Sequence, residues 1–270
     1  MIPKWLTAIR GTVPKKAAIL LGIVPIAVLL ALWFCLTWGK TVEDRRISPN
    51  ILPNPVEVVQ SVPALVMERS LVHHILASLR RVGLAYLLAL GVTFPLGVFM
   101  GSFGSGRALF TPATTASGYI PVATLVPLTM SWFGTGEFMK VMFLAMAFAI
   151  FMLPQIVAAV EAVPDIYLRT AYTLGVSRFQ AICRVLVPIA MPDIWRSMRL
   201  AFGVGWTYLV LAEVIVMTDG LGYLVGMSQR RGPREHIYLT IVVITLIAWA
   251  ADLLWSRIGY FLFRYQRGRT

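Results

Sequence analysis

The chain is poor in what a soluble catalytic domain is built from. Of its 270 residues only 12 are Asp or Glu, 3 are His and 2 are Cys, and charged residues make up 13% of the total, about half the ordinary share. So few acids and imidazoles supply no cluster with metal-ligand spacing. His73 and His74 are adjacent, so on a helix they point different ways, and no other ligands accompany them. Cys35 lies in an apolar run and Cys183 in a basic segment, which argues against a disulfide or a metal pair. A phosphate-binding loop is missing as well. The nearest approach, Gly101-Ser-Phe-Gly104-Ser-Gly106-Arg107-Ala108, has the glycine spacing. It lacks the lysine for the phosphates and the hydroxyl for magnesium, and it reads as a tight turn between two helices.

What the chain has is apolar surface. Residues of the AVILMFWYC set make up 58%, and mean hydropathy is +0.77. That much apolar side chain cannot be hidden in one water-soluble core of this size. A bilayer is the solvent that fits. The net charge of +12, from 24 Lys+Arg, would point to nucleic acid in a soluble protein. Here the basic residues fall between apolar runs, as membrane topology signals do, and no nucleic-acid partner is expected.

The runs divide the chain into five parts. Residues 1–16 read as a basic cytoplasmic N-terminus and 17–38 as a first, uncleaved transmembrane helix, long enough to span at 1.5 Å per residue. Residues 39–77 read as an extracytoplasmic segment. It holds Pro49, Pro53 and Pro55, which favour extended backbone, then an interfacial helix from Val56 to about Leu76. Residues 78–262 read as a five-helix core, with spans near 78–101, 113–132, 138–160, 197–217 and 237–262, and 263–270 as a cytoplasmic tail. The expected fold is thus an all-α integral membrane protein with six transmembrane helices and both termini cytoplasmic. Pro121 and Pro127 interrupt the third span, while Gly97-x-x-x-Gly101 and Gly203-x-Gly205 allow helices to approach closely.

The segment 161–192 is too polar to span and too long for a minimal connection. Pro164 and Asp165 suit a helix start. Gly175 is placed to end that helix in a left-handed turn, and Ser177 to cap a second one. Pro188 and Pro192 are expected to stop and redirect the chain before the next span. The result is a helix–turn–helix elbow on the cytoplasmic face, of a kind that suits insertion into a partner's cleft. An ordinary amphipathic interfacial hairpin would look the same in composition.

This elbow resembles the cytoplasmic loop signature of binding-protein-dependent ABC importer permeases: Glu-Ala-Ala, three residues, Gly, nine residues, Ile, one residue, Leu-Pro. Arg169-Thr170-Ala171, Gly175 and Val185-Leu186-Val187-Pro188 fall on that spacing. Ala171, Gly175 and Pro188 match, and Val185 and Val187 are conservative replacements. Arg169 stands in place of the acidic residue and Thr170 in place of the first alanine, which removes any charge contact made by the family's glutamate. The likeness is greatest to the nitrate/sulfonate/taurine/bicarbonate branch. It is carried further by Ser78-Leu79-Arg80-Arg81-Val82, by Pro121 through Trp132-Phe133-Gly134-Thr135-Gly136-Glu137, by Met198-Arg199-Leu200 with Trp206 and Ala212-Glu213, and by Asp219-Gly220-Leu221-Gly222.

The resemblance implies an inner-membrane subunit that forms the path for a small solute and does not itself hydrolyse ATP. It implies no cofactor on this chain, with ATP and Mg bound by two partner ATPase subunits. It further implies a second permease copy, an extracytoplasmic solute-binding protein and alternating access. Arg169, Thr170, Ala171, Gly175, Val185 and Pro188 would form the ATPase-coupling loop.

For a small anion the path needs hydrogen-bond donors near interrupted helices. Thr124, Thr129, Ser131, Trp206, Thr207 and Tyr208 are the candidates, each of which could equally serve packing or interfacial anchoring. Glu213, inside a span, is either a pathway carboxylate or a structural one paired with a base or with backbone donors. The second is favoured because buried charges are usually paired. Asp252 and Arg257 in the last helix are assigned to helix or subunit contacts. The basic stretch 229–236 could attract an anionic solute or meet acidic groups on a binding protein, or be a solvated loop near lipid headgroups. Two other classes remain to be weighed. A secondary transporter or channel should carry inverted repeats or a midplane relay, and an integral-membrane enzyme should carry clustered His or carboxylates at a membrane face. The sequence offers neither.

Overall fold

The computed structural model describes residues 13–39 and 44–265, and over them the chain is entirely helical and irregular, with no strand. Its first helix, α1 (Lys15–Thr37), has nearly every side chain turned outward. Two short helices follow, α2 (Pro55–Gln60) and α3 (Val62–Met67), then α4 (Leu71–Ser102) and α5 (Gly104–Gly118). A 3₁₀ turn (Val122–Thr124) leads into α6 (Leu125–Phe133) and the long α7 (Glu137–Glu161). The elbow helices α8 (Asp165–Thr173) and α9 (Arg178–Ala181) come next. Last are α10 (Val187–Ile215), α11 (Leu221–Arg231) and α12 (Arg234–Leu262).

Among the described residues five helices are long and apolar enough to cross a membrane, not six. The expected third span, 113–132, straddles a break. Pro112 lies inside α5, and the helix gives out at Gly118 ahead of Pro121; α6 restarts with Pro127 in its first turn. At 1.5 Å per residue the 15 residues of α5 reach about 22 Å, short of a hydrocarbon core of about 30 Å. The 9 residues of α6 are shorter still. The even number of spans that put both chain ends on one side therefore does not hold. The cytoplasmic placement of both termini lies outside the described residues, which stop short of 1–12 and 266–270.

The other boundaries shift modestly. The interfacial helix expected to about Leu76 ends at Met67. Ser70, with φ 50°, turns the chain, and α4 starts at Leu71, a turn or two before the expected span. The segment ahead of α2 is pinned to its neighbours: Trp33 Nε1 donates to the Pro53 carbonyl at 2.9 Å, and Tyr238 Oη donates to that of Ile51 at 2.7 Å. Arg45 forks onto Glu57 at 2.7 and 3.2 Å, and its hydrogen bond holds the Glu57 carboxyl below the ordinary carboxylate range.

The core sits between α4, α7 and α10, whose facing residues include Val82, Tyr86, Phe143, Phe148, Ile156, Ile194 and Leu209. α1 and α12 lie at the periphery and keep most of their apolar surface outward, for lipid. The α4–α7 contact is the most extensive, and small residues make it so. A Cβ on Gly97 would come within 2.6 Å of Ile156, and one on Gly101 within 2.7 Å of Val160. Gly205 likewise admits the Phe148 ring, whereas Gly203 faces open space. Gly106 packs on Phe99, so Gly101 and Gly106 of the 101–108 stretch serve close packing on either side of a one-residue turn at Phe103.

Gly97→Leu is expected to overpack this contact and cost about 1–3 kcal/mol, read as a lower thermal unfolding midpoint in detergent. Gly203→Ala, with nothing near its Cβ, should leave the midpoint within error of the parent.

Candidate functional site

The two ends of the bundle are built on different physics. At one end the elbow is a backbone device. α8 is closed by a Schellman arrangement, in which Gly175 N–H donates to the Tyr172 carbonyl at 3.0 Å and Val176 N–H to that of Ala171 at 3.2 Å. This requires a left-handed residue at Gly175, which has φ 75°. Ser177 then caps α9 reciprocally with Gln180: the Gln180 amide donates to Ser177 Oγ, and the Ser177 amide donates to the Gln180 side-chain oxygen at 3.2 Å.

Beyond α9 the chain does not stop at its prolines, as the sequence reading expects. It runs as one helix from Arg178 to Ile215. A π-helical turn at Ile182–Leu186 shifts the hydrogen-bond ladder just ahead of Pro188, where the proline removes an amide, and Pro188 itself sits in the first turn of α10. Of the coupling-loop residues, Arg169, Thr170, Gly175 and Pro188 are exposed, Val185 is half-buried, and Ala171 is buried beneath the turn. Leu174 and Phe179 are largely exposed, at 77% and 76%. Arg107 ties α5 to the end of α7 through Glu161 at 2.9 Å. A cleft of about 270 Å³ lies between elbow and bundle, lined by Arg107, Glu161, Asp165, Leu168 and Leu186 among others.

At the opposite end lies a buried polar knot. Arg81 of α4 and Lys140 of α7 are sealed from solvent, and so is Glu213 of α10. Arg81 Nη1 donates to Glu213. Its Nε and Nη2 fork onto Glu137 at 2.9 and 2.6 Å, and Nη2 also reaches Asp219 at 2.6 Å. Lys140 Nζ donates to Glu137 at 3.0 Å and to Thr218 Oγ1 at 2.5 Å. The remaining lone pairs of Glu213 accept from Ser78 Oγ at 2.8 Å and from the Gly222 amide at 2.8 Å.

Ser78 and His74, one turn apart on α4, hold the connection between α10 and α11. Leu221 N–H donates to Ser78 Oγ at 2.9 Å and Gly220 N–H to His74 Nδ1 at 3.0 Å. Gly220, with φ 103°, lets the backbone pass directly over the Glu213 carboxylate. Two cations thus meet three carboxylates, drawn from α4, α7, α10 and the connection that follows α10. Asp219 lies in the connection itself. Burial pushes its carboxyl up, but the hydrogen bond and charge of Arg81, with Thr218 and Lys140 behind them, hold it below the ordinary aspartate range.

The sequence-based pathway candidates are spread along two segments. Thr124 is exposed and donates to the Pro121 carbonyl at 2.7 Å, and Ser131 is exposed. Thr129 is buried and spends its hydroxyl on the carbonyls of its own helix at 2.9 Å. On α10, Thr207 is exposed, Tyr208 stacks on Phe151, and Trp206 is buried with its Nε1 donor unpartnered. Glu213 belongs to the knot. Asp252 pairs with Arg199 across α10 and α12 at 2.5 and 2.6 Å.

Arg81, Glu137 and Asp219 each lie in a stretch that carries the family likeness, but nothing in their sequence spacing joins them. Lys140 was passed over. The signal for it was a lone lysine on an apolar helix, three residues after Glu137. Among the described residues no group of three or more His, Cys, Asp or Glu could hold a metal ion.

The architecture is a helical membrane bundle bearing an elbow between its third and fourth long helices, α7 and the helix that runs on into α10. The family model of the binding-protein-dependent transport system inner membrane component matches residues 93–267, and the chain belongs to that family. It is 32% identical over 245 residues to the taurine transport system permease protein TauC of Escherichia coli K12, covering 89% of this chain and 87% of that one. It is 24% identical to the putative aliphatic sulfonates transport permease protein SsuC of Bacillus subtilis, covering 88% and 84%. Among solved structures, an inward-facing MetNI methionine ABC transporter chain superposes with a TM-score of 0.65 at 17% identity, covering 74% of this chain and 97% of that one. The protein is therefore a multi-pass permease subunit of an ABC importer in the inner membrane, and not the subunit that binds nucleotide.

Removing one partner of the buried pair should cost far more than removing both. Arg81→Met leaves the Glu213 carboxylate buried without its cation, an expected loss of about 3–5 kcal/mol. Arg81→Met with Glu213→Leu should recover much of it, as read from unfolding midpoints in detergent. Acid separates the role of Asp219. Because its folded pKa is depressed, its stabilisation is full above about pH 4 and is lost as pH falls through the lower folded value. Asp219→Asn should lower the midpoint at pH 7, and the gap to the parent should close below pH 4; a gap that stays constant contradicts this.

Proposed function

We propose that the chain works as one of two permease copies, with the elbow on the cytoplasmic side docked in a groove of an ABC ATPase. The single observation that carries the proposal is the elbow itself. It is a hairpin fixed by a left-handed glycine and a reciprocal cap, and it holds Leu174 and Phe179 largely exposed. A rigid apolar protrusion of this kind transmits force and suits a concave partner. Arg169, where the family signature has an acid, gives this elbow a basic contact with its ATPase. Residues 161–192 then form the coupling loop, and the knot around Arg81 lies at the extracytoplasmic end, where a binding protein delivers solute.

In this reading ATP and Mg belong to the partner, and closure of the ATPase pair moves the elbows. The knot supplies the closed position of the outer end, and the helices alternate between access to the two sides. The solute is a small sulfonate or oxyanion. TauC and SsuC, named for taurine and aliphatic sulfonates, support that class, as does the branch resemblance. Thr124, Thr129, Ser131, Trp206, Thr207 and Tyr208 are the donors proposed to line the path, with the unpartnered Trp206 Nε1 the first to test.

Co-purification with a cognate ABC ATPase tests the reading. The parent should retain ATPase in stoichiometric amount. Leu174→Ser with Phe179→Ser, both at exposed positions, should lower recovery at least about tenfold without moving the unfolding midpoint. Gly175→Pro should abolish recovery. Retention of the ATPase by the double variant at parental level overturns the elbow as the docking element.

A further inference from the structure

A second polar feature lies beside the knot and is not part of it. The last residues before α4 and one face of α11 enclose a pocket of about 330 Å³, at the lower end of the range for small-molecule sites (roughly 300–1,000 Å³). Arg69, His74, Tyr223, Ser228 and Arg231 line it, with Glu68.

Two of these side chains are more than nine-tenths buried yet have donors to spare. His74 is 8% exposed and uses Nδ1 to accept the Gly220 amide at 3.0 Å. A neutral ring that accepts at Nδ1 carries its proton on Nε2, and that donor makes no hydrogen bond among the described residues. Ser228 is 5% exposed, and its hydroxyl is likewise without a partner there. Neither Arg69 nor Arg231 makes a salt bridge among the described residues. Neither donor is sealed from solvent, so the pocket offers both to an acceptor from outside the chain.

The charge agrees. Two guanidiniums outweigh one carboxylate. The first amides of the 32-residue α4 have no side-chain cap, and the helix dipole favours negative charge at that end. Every polar group named here except Glu68 donates.

We propose that this pocket binds the tetrahedral oxyanion group, sulfonate or phosphate, of an anionic ligand. His74 Nε2–H and Ser228 Oγ–H would sit at its floor, with Arg69 and Arg231 as its mouth. The ligand is either a small free anion or the phosphodiester of an acidic lipid, since the first turn of a spanning helix lies at headgroup depth. Through His74 an occupied pocket is one hydrogen bond from Gly220, and so from the loop that covers Glu213. The site stands on these residues alone, and does not depend on which solute the permease carries.

The test uses the full chain in nanodiscs. Methanesulfonate is titrated calorimetrically in pure phosphatidylcholine discs. Retention of phosphatidylglycerol is read by native mass spectrometry from mixed discs. The variants are Ser228→Ala with Arg231→Gln, and Arg230→Gln as a control outside the pocket. A parent that binds methanesulfonate, with affinity at least about tenfold weaker in the double variant and unchanged in the control, supports the site and assigns a free anion. Phosphatidylglycerol retained by the parent and control but lost from the double variant supports the site and assigns a lipid. A parent that holds neither probe, or a double variant that binds as the parent does, overturns the proposal.

Discussion

A guanidinium deep among apolar helices must be paired, because removing an ion from water costs several kcal/mol after relaxation. Arg81 is that ion, and one end of the molecule is arranged around it. Its three donor positions draw Glu213 from α10, Glu137 from α7 and Asp219 from the connection to α11. Satisfying Glu213 in turn recruits Ser78 and the Gly222 amide, and it requires Gly220 to pass over the carboxylate in a left-handed conformation. Four elements that share no local sequence signal are thereby fixed in one register. A half-satisfied network would be worse than none; here each charged side chain has its partners.

The elbow end has no such electrostatic anchor. Its shape rests on main-chain hydrogen bonds at Gly175 and on the reciprocal cap at Ser177, and its apolar side chains point away from the bundle. One end is thus locked to itself, and the other is shaped but left open to a partner. Between them α4 and α7 pack through Gly97 and Gly101 close enough to move as a unit, and the unbroken helix from Arg178 to Ile215 joins the elbow to Glu213 directly. That helix carries the π-helical turn, Pro188 and Pro192 near its elbow end; in the proposed function it is the route by which an ATPase docked at the elbow acts on the outer end.

The bilayer as solvent, the membrane helices other than the third and the elbow were legible because each rests on local chemistry: apolar runs, a glycine placed to end a helix, a serine placed to start one. The third span was misread because hydropathy averages across a break. Pro112, Gly118 and Pro121 divide a run that is apolar enough in composition but too short in its pieces. Pro188 and Pro192 misled in the other direction, since a π-helical turn upstream absorbs the first of them. α11 was missed because its polar residues lie on a helix only 11 residues long, docked under the knot. The knot itself was half legible. That Glu213 would be paired follows from the cost of a buried charge, but Arg81, Lys140 and Asp219 as its surroundings follow only from tertiary packing.

The measurement that bears most directly on the account is solute uptake by proteoliposomes holding the permease, a cognate ABC ATPase and its binding protein. Radiolabelled taurine, an alkanesulfonate and nitrate would be offered in turn. The account predicts that at least one of them accumulates only when all three proteins and internal ATP are present, and that the permease alone passes none. Uptake driven by an ion gradient through the permease alone, without ATP, would contradict it.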